Sequence, residues 1–395
     1  FNIFNNNGNL PIHIAKTTSV FERLIEAGCD MYIPNKNGQT IIEIQSNPFN
    51  KEVVEGILGK GFNILYPNFK GIYWMQYVIH NDYYCSKKKT FLEFQKFVRK
   101  ILSKSPYEFY TTNQNLQQIL SEDVKDCESR DAEFLRSAVV NLDVDKILTY
   151  LAIGARPDTK VDSGVTNLMI LCERGNLELA QVFANNFCDP NETNTNGENS
   201  FWLAAINYHY DLATILHNVY YANPDILSKS GQTLLHVAYS QGNQELLYYL
   251  LNNGASPNIP NSDRETVQYI AFMKKDDQIA EMIQSYYKGD INSKGKEGNS
   301  LGHLAILQHD INRLEYYIHR GLSIGIKNDL GYSLFMSAIV DVDDDLDLCK
   351  FLLDRGSNIN TQDAKGGTPF YNVCKSRKFN REKFDFLLQN KCNIN

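Results

Sequence analysis

The stretch Gly231-Gln232-Thr233-Leu234-Leu235-His236-Val237-Ala238 continues through Gly242 to Leu246-Leu247-Tyr248-Tyr249-Leu250-Leu251-Asn252-Asn253-Gly254-Ala255. Thr233 is placed to cap a helix N-terminus by accepting a backbone N–H. The apolar residues up to Ala238 then fill a short helix, and Gly242 ends it by taking a left-handed conformation. A second helix presents Leu246, Tyr249 and Leu250 on one face, at i, i+3 and i+4. Gly254 closes that helix, and Ser256-Pro257-Asn258 opens a polar extended finger.

Outward from this stretch the pattern recurs. Gly8, Gly38, Gly71, Gly164, Gly197, Gly231, Gly298, Gly331 and Gly366 each precede an apolar segment, and most gaps are 33 or 34 residues. The gap from Gly231 to Gly298 is two periods, with Arg264 at the skipped position. Gly8 opens Asn9-Leu10-Pro11-Ile12-His13-Ile14-Ala15, Gly298 opens Asn299-Ser300-Leu301-Gly302-His303-Leu304-Ala305, and Gly366 opens Gly367-Thr368-Pro369-Phe370. Thr266, Ser300 and Thr368 repeat the cap, and Pro11 and Pro369 suit a first helical turn. Ala15, Ala205, Ala238, Ala271 and Ala305 let neighbouring helices approach. Such a module cannot bury its apolar face alone, so stacking must supply the core.

These residues resemble the ankyrin repeat, a unit of two helices and a hairpin with a Thr-Pro-Leu-His-x-Ala signature. The resemblance implies an all-α solenoid of about eleven stacked helix–turn–helix units with β-hairpin fingers. The units fall at about 5–34, 35–67, 68–104, 131–160, 161–193, 194–227, 228–260, 261–294, 295–327, 328–362 and 363–395. Repeats one to three then occupy 1–104, with the third elongated, an irregular insertion fills 105–130, and repeats four to eleven occupy 131–395. The match is weak at Tyr73-Trp74-Met75-Gln76 and at Glu133–Ala138, which stand in the signature slot. Helices are expected over 90–104 and 116–126.

Composition narrows the function. Lys and Arg number 39 against 46 Asp and Glu, a net charge of −7, which argues against a nucleic-acid-binding face spread over the molecule. No apolar run approaches the length of a membrane helix, so no transmembrane segment is expected. The eight cysteines are scattered without a CxxC pair or zinc-finger spacing, which fits a reducing, cytoplasmic setting. The 42 asparagines suggest no chemistry at this level. The chain begins without Met and ends on Asn393-Ile394-Asn395 instead of a polar capping repeat, so further repeats or domains are expected at both ends.

Motif fragments yield to plainer readings. Gly321-Leu322-Ser323-Ile324-Gly325 matches a nucleophile elbow, but it falls at the end of a second helix, where a finger begins. Gly289 to Lys296 has the wrong spacing for a phosphate loop, and Glu297 replaces its Ser or Thr. The acidic run 341–347 lacks the Gly and final Glu of a calcium loop and reads as a solvated loop. His13, His236 and His303 lie too far apart for a shared metal site. Trp74, Trp202, Tyr208 and Tyr210 read as core or turn packing. No catalytic constellation and no cofactor or metal site is expected.

The family resemblance implies a partner-binding groove lined by finger tips and first helices. Its expected residues are Asp162, Ser163, Val165, Glu173 and Arg174; Thr195, Asn196, Glu198, Ile206 and Asn207; Lys229, Ser230, Gln232, Tyr239, Ser240 and Gln241; Lys296, Glu297, Asn299, Leu307 and Gln308; and Asp329, Leu330 and Tyr332, with Val340 and Asp341 beyond them. The expected partners are one or more proteins, with no nucleic acid. Asn47-Pro48-Phe49 matches a short ligand motif for EH domains of endocytic adaptors, which large endosomal ankyrin–FYVE proteins also carry. Lys87-Lys88-Lys89, with Arg99, Lys100 and Lys104, offers acidic lipid a contact, although an ordinary solvated helix face accounts for it. The leading reading is a non-catalytic interaction scaffold. The alternative is the targeting or regulatory arm of a larger trafficking or signalling protein.

Overall fold

A computed structural model describes residues 3–45, 50–64, 67–68, 72–75, 127–341, 346–376 and 380–394. The chain divides into two compact units, Phe1–Asn223 and Pro224–Asn395. In the first, the most regular pairs are Asn167–Glu173 with Leu177–Asn185 and Ser200–Ile206 with Tyr210–Asn218. In the second, first helices run Leu234–Ser240, Val267–Met273, Leu301–Leu307, Leu334–Val340 and Pro369–Lys375. Their second helices run Gln244–Asn252, Asp277–Tyr287, Ile311–His319, Leu346–Asp354 and Arg381–Gln389. This is an all-α repeat solenoid. The fingers are closed by single bridges, Lys160 to Thr166 in the first unit and Lys294 to Ser300 and Lys327 to Ser333 in the second. The expected hairpins are therefore reduced to isolated β-bridges.

Each helix has a local cause. Thr266 and Thr368 accept the N–H of Tyr269 and Tyr371, both at 3.2 Å. Asn176, Asn243 and Asp310 cap second helices through Leu179, Leu246 and Arg313 N–H at 2.9–3.0 Å. Between the two layers Leu234, Ala238, Leu246 and Leu250 are wholly buried, each leucine contributing about 1.5–3 kcal/mol. Trp74 and Trp202 lie in the core as expected.

The abundant asparagines build the fingers. Asn261 Oδ1 accepts the N–H groups of Asp263 and Glu265 at 2.9 and 3.0 Å, and Asn328 does the same for Leu330 and Tyr332 at 3.1 and 2.9 Å. A second row crosses between repeats: Asn258 takes Asp290 N–H at 2.8 Å and donates to Lys288, while Asn292 takes Ser323 N–H at 2.8 Å and donates to Gly321. An amide side chain donates and accepts at once, which is why Asn serves where a carboxylate satisfies only half the pair. Ser323, the centre of the apparent nucleophile elbow, is thus a rung of this ladder.

The N-terminal repeats are irregular. Pro11–Ile14 is a single 3-10 turn, and the next first helix, Ile41–Gln45, is short. Tyr73, Trp74 and Met75 are buried, and Tyr73 N–H donates to Asn186 Oδ1 at 2.9 Å. Helix Cys127–Asn141 starts ahead of residue 131, where the fourth repeat was expected to begin. The helices expected over 90–104 and 116–126 lie outside the described residues.

Candidate interaction surface

The signature histidines are structural. His236 Nε2 lies 2.9 Å from the Glu265 carbonyl, and His303 Nε2 lies 2.9 Å from the Tyr332 carbonyl. A carbonyl only accepts, so Nε2 carries the proton in each ring. Nδ1 is left as acceptor, 2.8 Å from Thr233 Oγ1 in one and from Ser300 Oγ in the other. These two hydroxyls therefore pair with the ring, a different role from the backbone cap that Thr266 plays. His13 bonds Leu10 N–H and the Ile33 carbonyl, both at 2.9 Å. Burial holds all three rings below the usual histidine pKa.

Finger turns set one edge of each unit's candidate surface. Gly231, at φ 72°, is forced by its neighbour: an added Cβ would stand 2.7 Å from Ser262 Cβ, because Ser262 N–H bonds the Gly231 carbonyl at 2.9 Å. At the equivalent place Arg264 holds φ 68° and sends its guanidinium to Asp329 at 2.7 Å.

All the residues expected on the surface are exposed or half-buried. Several serve the repeats themselves. Asn299 and Tyr332 lend their carbonyls to Tyr269 and His303, Glu198 bonds Asn194, Arg174 bonds the Val140 carbonyl, and Asp329 pairs with Arg264. In the first unit the surface charge is carried by Asp162, Glu173, Arg174 and Glu198. In the second, Lys229, Lys296 and Glu297 stand on the fingers, with Ser240, Gln241, Leu307 and Gln308 at first-helix ends.

The expected surface residues include none from the repeat at 261–294, whose turn has Arg264 in place of the marker glycine. Its first-helix end carries Met273, 43% exposed, and Lys274 and Lys275, both exposed. Met273 stands 33 residues after Ser240 and 34 before Leu307, so the period alone would have found it. Lys275 holds φ 62° where the neighbouring repeat has Gly242 at φ 67°. Asn47, Pro48 and Phe49, and Lys87, Lys88 and Lys89, lie outside the described residues, as do 342–345 of the acidic run.

Comparison with known proteins agrees with this geometry. A family model described as ankyrin repeats in three copies matches residues 168–261 and 202–295, and one described as ankyrin repeats in many copies matches 335–388. Residues 168–295 and 335–388 are thus ankyrin repeats. The chain is also similar to an ankyrin repeat protein of Acanthamoeba polyphaga mimivirus, 28% identical over 171 residues. That alignment covers 42% of this chain and 21% of the viral protein. Ankyrin repeats imply a role in protein–protein interaction. Among the described residues no three His, Cys, Asp or Glu side chains are grouped to hold a metal, and no helix is long and apolar enough to cross a membrane.

Proposed function

We propose that this chain is a non-catalytic protein-interaction scaffold that holds its partner on the surface shared by finger turns and first helices. One observation carries the reading: apolar side chains stay exposed there in two adjacent repeats whose first helices bury Leu301, Ile306, Leu334 and Phe335. Leu307 is 47% exposed beside wholly buried Ile306, and Leu330 is 59% exposed at a finger tip. Burying such side chains against a partner stabilises a complex. The buried thiols Cys172, Cys188 and Cys349 fit a reducing, cytoplasmic setting.

Affinity capture with the whole chain, followed by mass spectrometry, tests the reading. Substituting Leu307 and Leu330 by Ser should abolish capture of a specific partner without loss of helical circular dichroism. Capture that survives both substitutions, and that maps by crosslinking to the second helices, overturns it. The alternative, a targeting or regulatory arm of a larger trafficking or signalling protein, draws on the viral relative, in which the aligned repeats form 21% of a longer chain.

A further inference from the structure

In the second unit, we infer that the surface over residues 228–308 selects an acidic protein segment carrying apolar side chains; this rests on the scaffold reading above. The helices Val267–Met273 and Leu301–Leu307 pack side by side. Met273 and Leu307, both exposed, are the last residues of these two neighbouring helices. Lys274 and Lys275 flank this apolar pair, and neither has an ion-pair partner among the described residues. The Lys274 ammonium is poised 5.2 Å above the centre of the Tyr239 ring, at the edge of the preceding repeat.

The acids closest in sequence are already employed. Asp276 and Asp310 cap the second helices through Ile279 and Arg313 N–H at 3.4 and 2.9 Å, and Asp277 holds Arg313 in a two-pronged ion pair at 2.9 Å. Glu245, Lys288 and Asp290 are exposed on a second helix and on the turn after another. Exposed charge on the finger turns and first-helix ends is thus Lys229, Lys274, Lys275 and Lys296 against Asp263 and Glu297, with Arg264 paired to Asp329. This is a net positive patch on a chain of net charge −7. The left-handed conformation at Lys275 is the one that also ends the neighbouring first helices, at Gly242 and His309, and it leaves the lysine exposed. An acidic segment gains steering and register from the lysines and area from Met273 and Leu307. Nucleic acid would gain nothing from the exposed apolar pair.

Selection of random dodecapeptides displayed on phage, with the whole chain as bait, tests this. The expected outcome is enrichment of sequences that combine Asp or Glu with Leu, Ile or Phe. The leading synthetic peptide should bind the double variant K274E/K275E about tenfold more weakly, with a smaller difference at high salt. Enrichment of neutral or basic peptides that crosslink to Met273 or Leu307 would overturn the acidic assignment and leave the scaffold reading intact. An acidic peptide that binds the double variant unchanged would do the same. Displacement of the peptide by a single-stranded oligonucleotide at lower concentration would overturn it in favour of nucleic acid. Failure to enrich any peptide, with no partner captured by the whole chain, would remove both readings together.

Discussion

Two adjacent repeats, 228–260 and 261–294, share a backbone, the cap threonine (Thr233, Thr266) and the packing alanine (Ala238, Ala271), and differ at three other signature positions. The first has Gly231, His236 and Gly242, and the second has Arg264, Tyr269 and Lys275 at the same places. Both turns keep positive φ, 72° at Gly231 and 68° at Arg264, and both first helices end in the left-handed region. Both signature side chains reach the carbonyl that precedes the next cap, His236 to Glu265 at 2.9 Å and Tyr269 to Asn299 at 3.0 Å. The repeat thus depends on a small set of hydrogen bonds more than on particular residue types. Once Asn261 and Thr266 hold the backbone, the signature positions are free to vary: Arg264 and Lys275 face outward, while Tyr269 stays buried.

The largest effect that would break the comparison is steric. Gly231→Ala should destabilise the chain by about 2–4 kcal/mol, since it adds left-handed strain to a clash with the Ser262 finger. Arg264→Gly should be neutral or stabilising by up to about 1 kcal/mol, because relieved strain is partly offset by backbone entropy. Urea unfolding followed by circular dichroism reads both. Equal losses at the two sites would mean that the two turns are not equivalent after all.

Next comes the signature slot. His236→Ala leaves the Glu265 carbonyl and the Thr233 hydroxyl without their ring partner, at a cost of about 1–3 kcal/mol. His236→Tyr should cost less, because Tyr269 shows that a phenol in this slot reaches the corresponding carbonyl. If the tyrosine variant unfolds at the same urea concentration as the alanine variant, the hydrogen bond is not what the slot contributes.

Acid separates the two repeats further. Burial lowers the pKa of His236, and burial with nearby Lys294 lowers that of His303, while burial raises that of the Tyr269 hydroxyl. An unfolded histidine therefore takes its proton at higher pH than either folded ring. Stability from His236 and His303 is complete above about pH 6.5 and is lost as pH falls below it, until the folded rings also protonate. Protonation at Nδ1 would turn a donor toward Thr233 N–H and Ser300 N–H, both donors already. Native-state hydrogen exchange should show protection falling in acid around Leu234–Ser240 and Leu301–Leu307, and less so around Val267–Met273. A uniform fall would assign the acid sensitivity to carboxylates elsewhere.

What the sequence revealed follows from the same contrast. The period, the caps and the histidines of 228–260 were legible because each residue type there has one physical use at its spacing. The repeat at 261–294 hid its surface residues because a reading anchored on turn glycines had none to find at Arg264. The asparagines escaped for another reason. Asn258 and Asn292 act between repeats, and their partners Asp290 and Ser323 lie a full period away. Composition records how many amides there are and says nothing of what they face.

The smallest effect sharpens the comparison most. Lys275→Gly would make the second repeat more like the first, removing left-handed strain of about 1–2 kcal/mol and restoring up to about 1 kcal/mol of backbone entropy to the unfolded chain. A net gain of about 0.5–1 kcal/mol in unfolding free energy is expected, together with weaker binding of an acidic peptide. Function held at the expense of stability has that opposed signature. A variant that gains stability and keeps its affinity would reduce Lys275 to a tolerated accident of drift, and the charge on this surface would then rest on Lys274 with its neighbours Lys229 and Lys296.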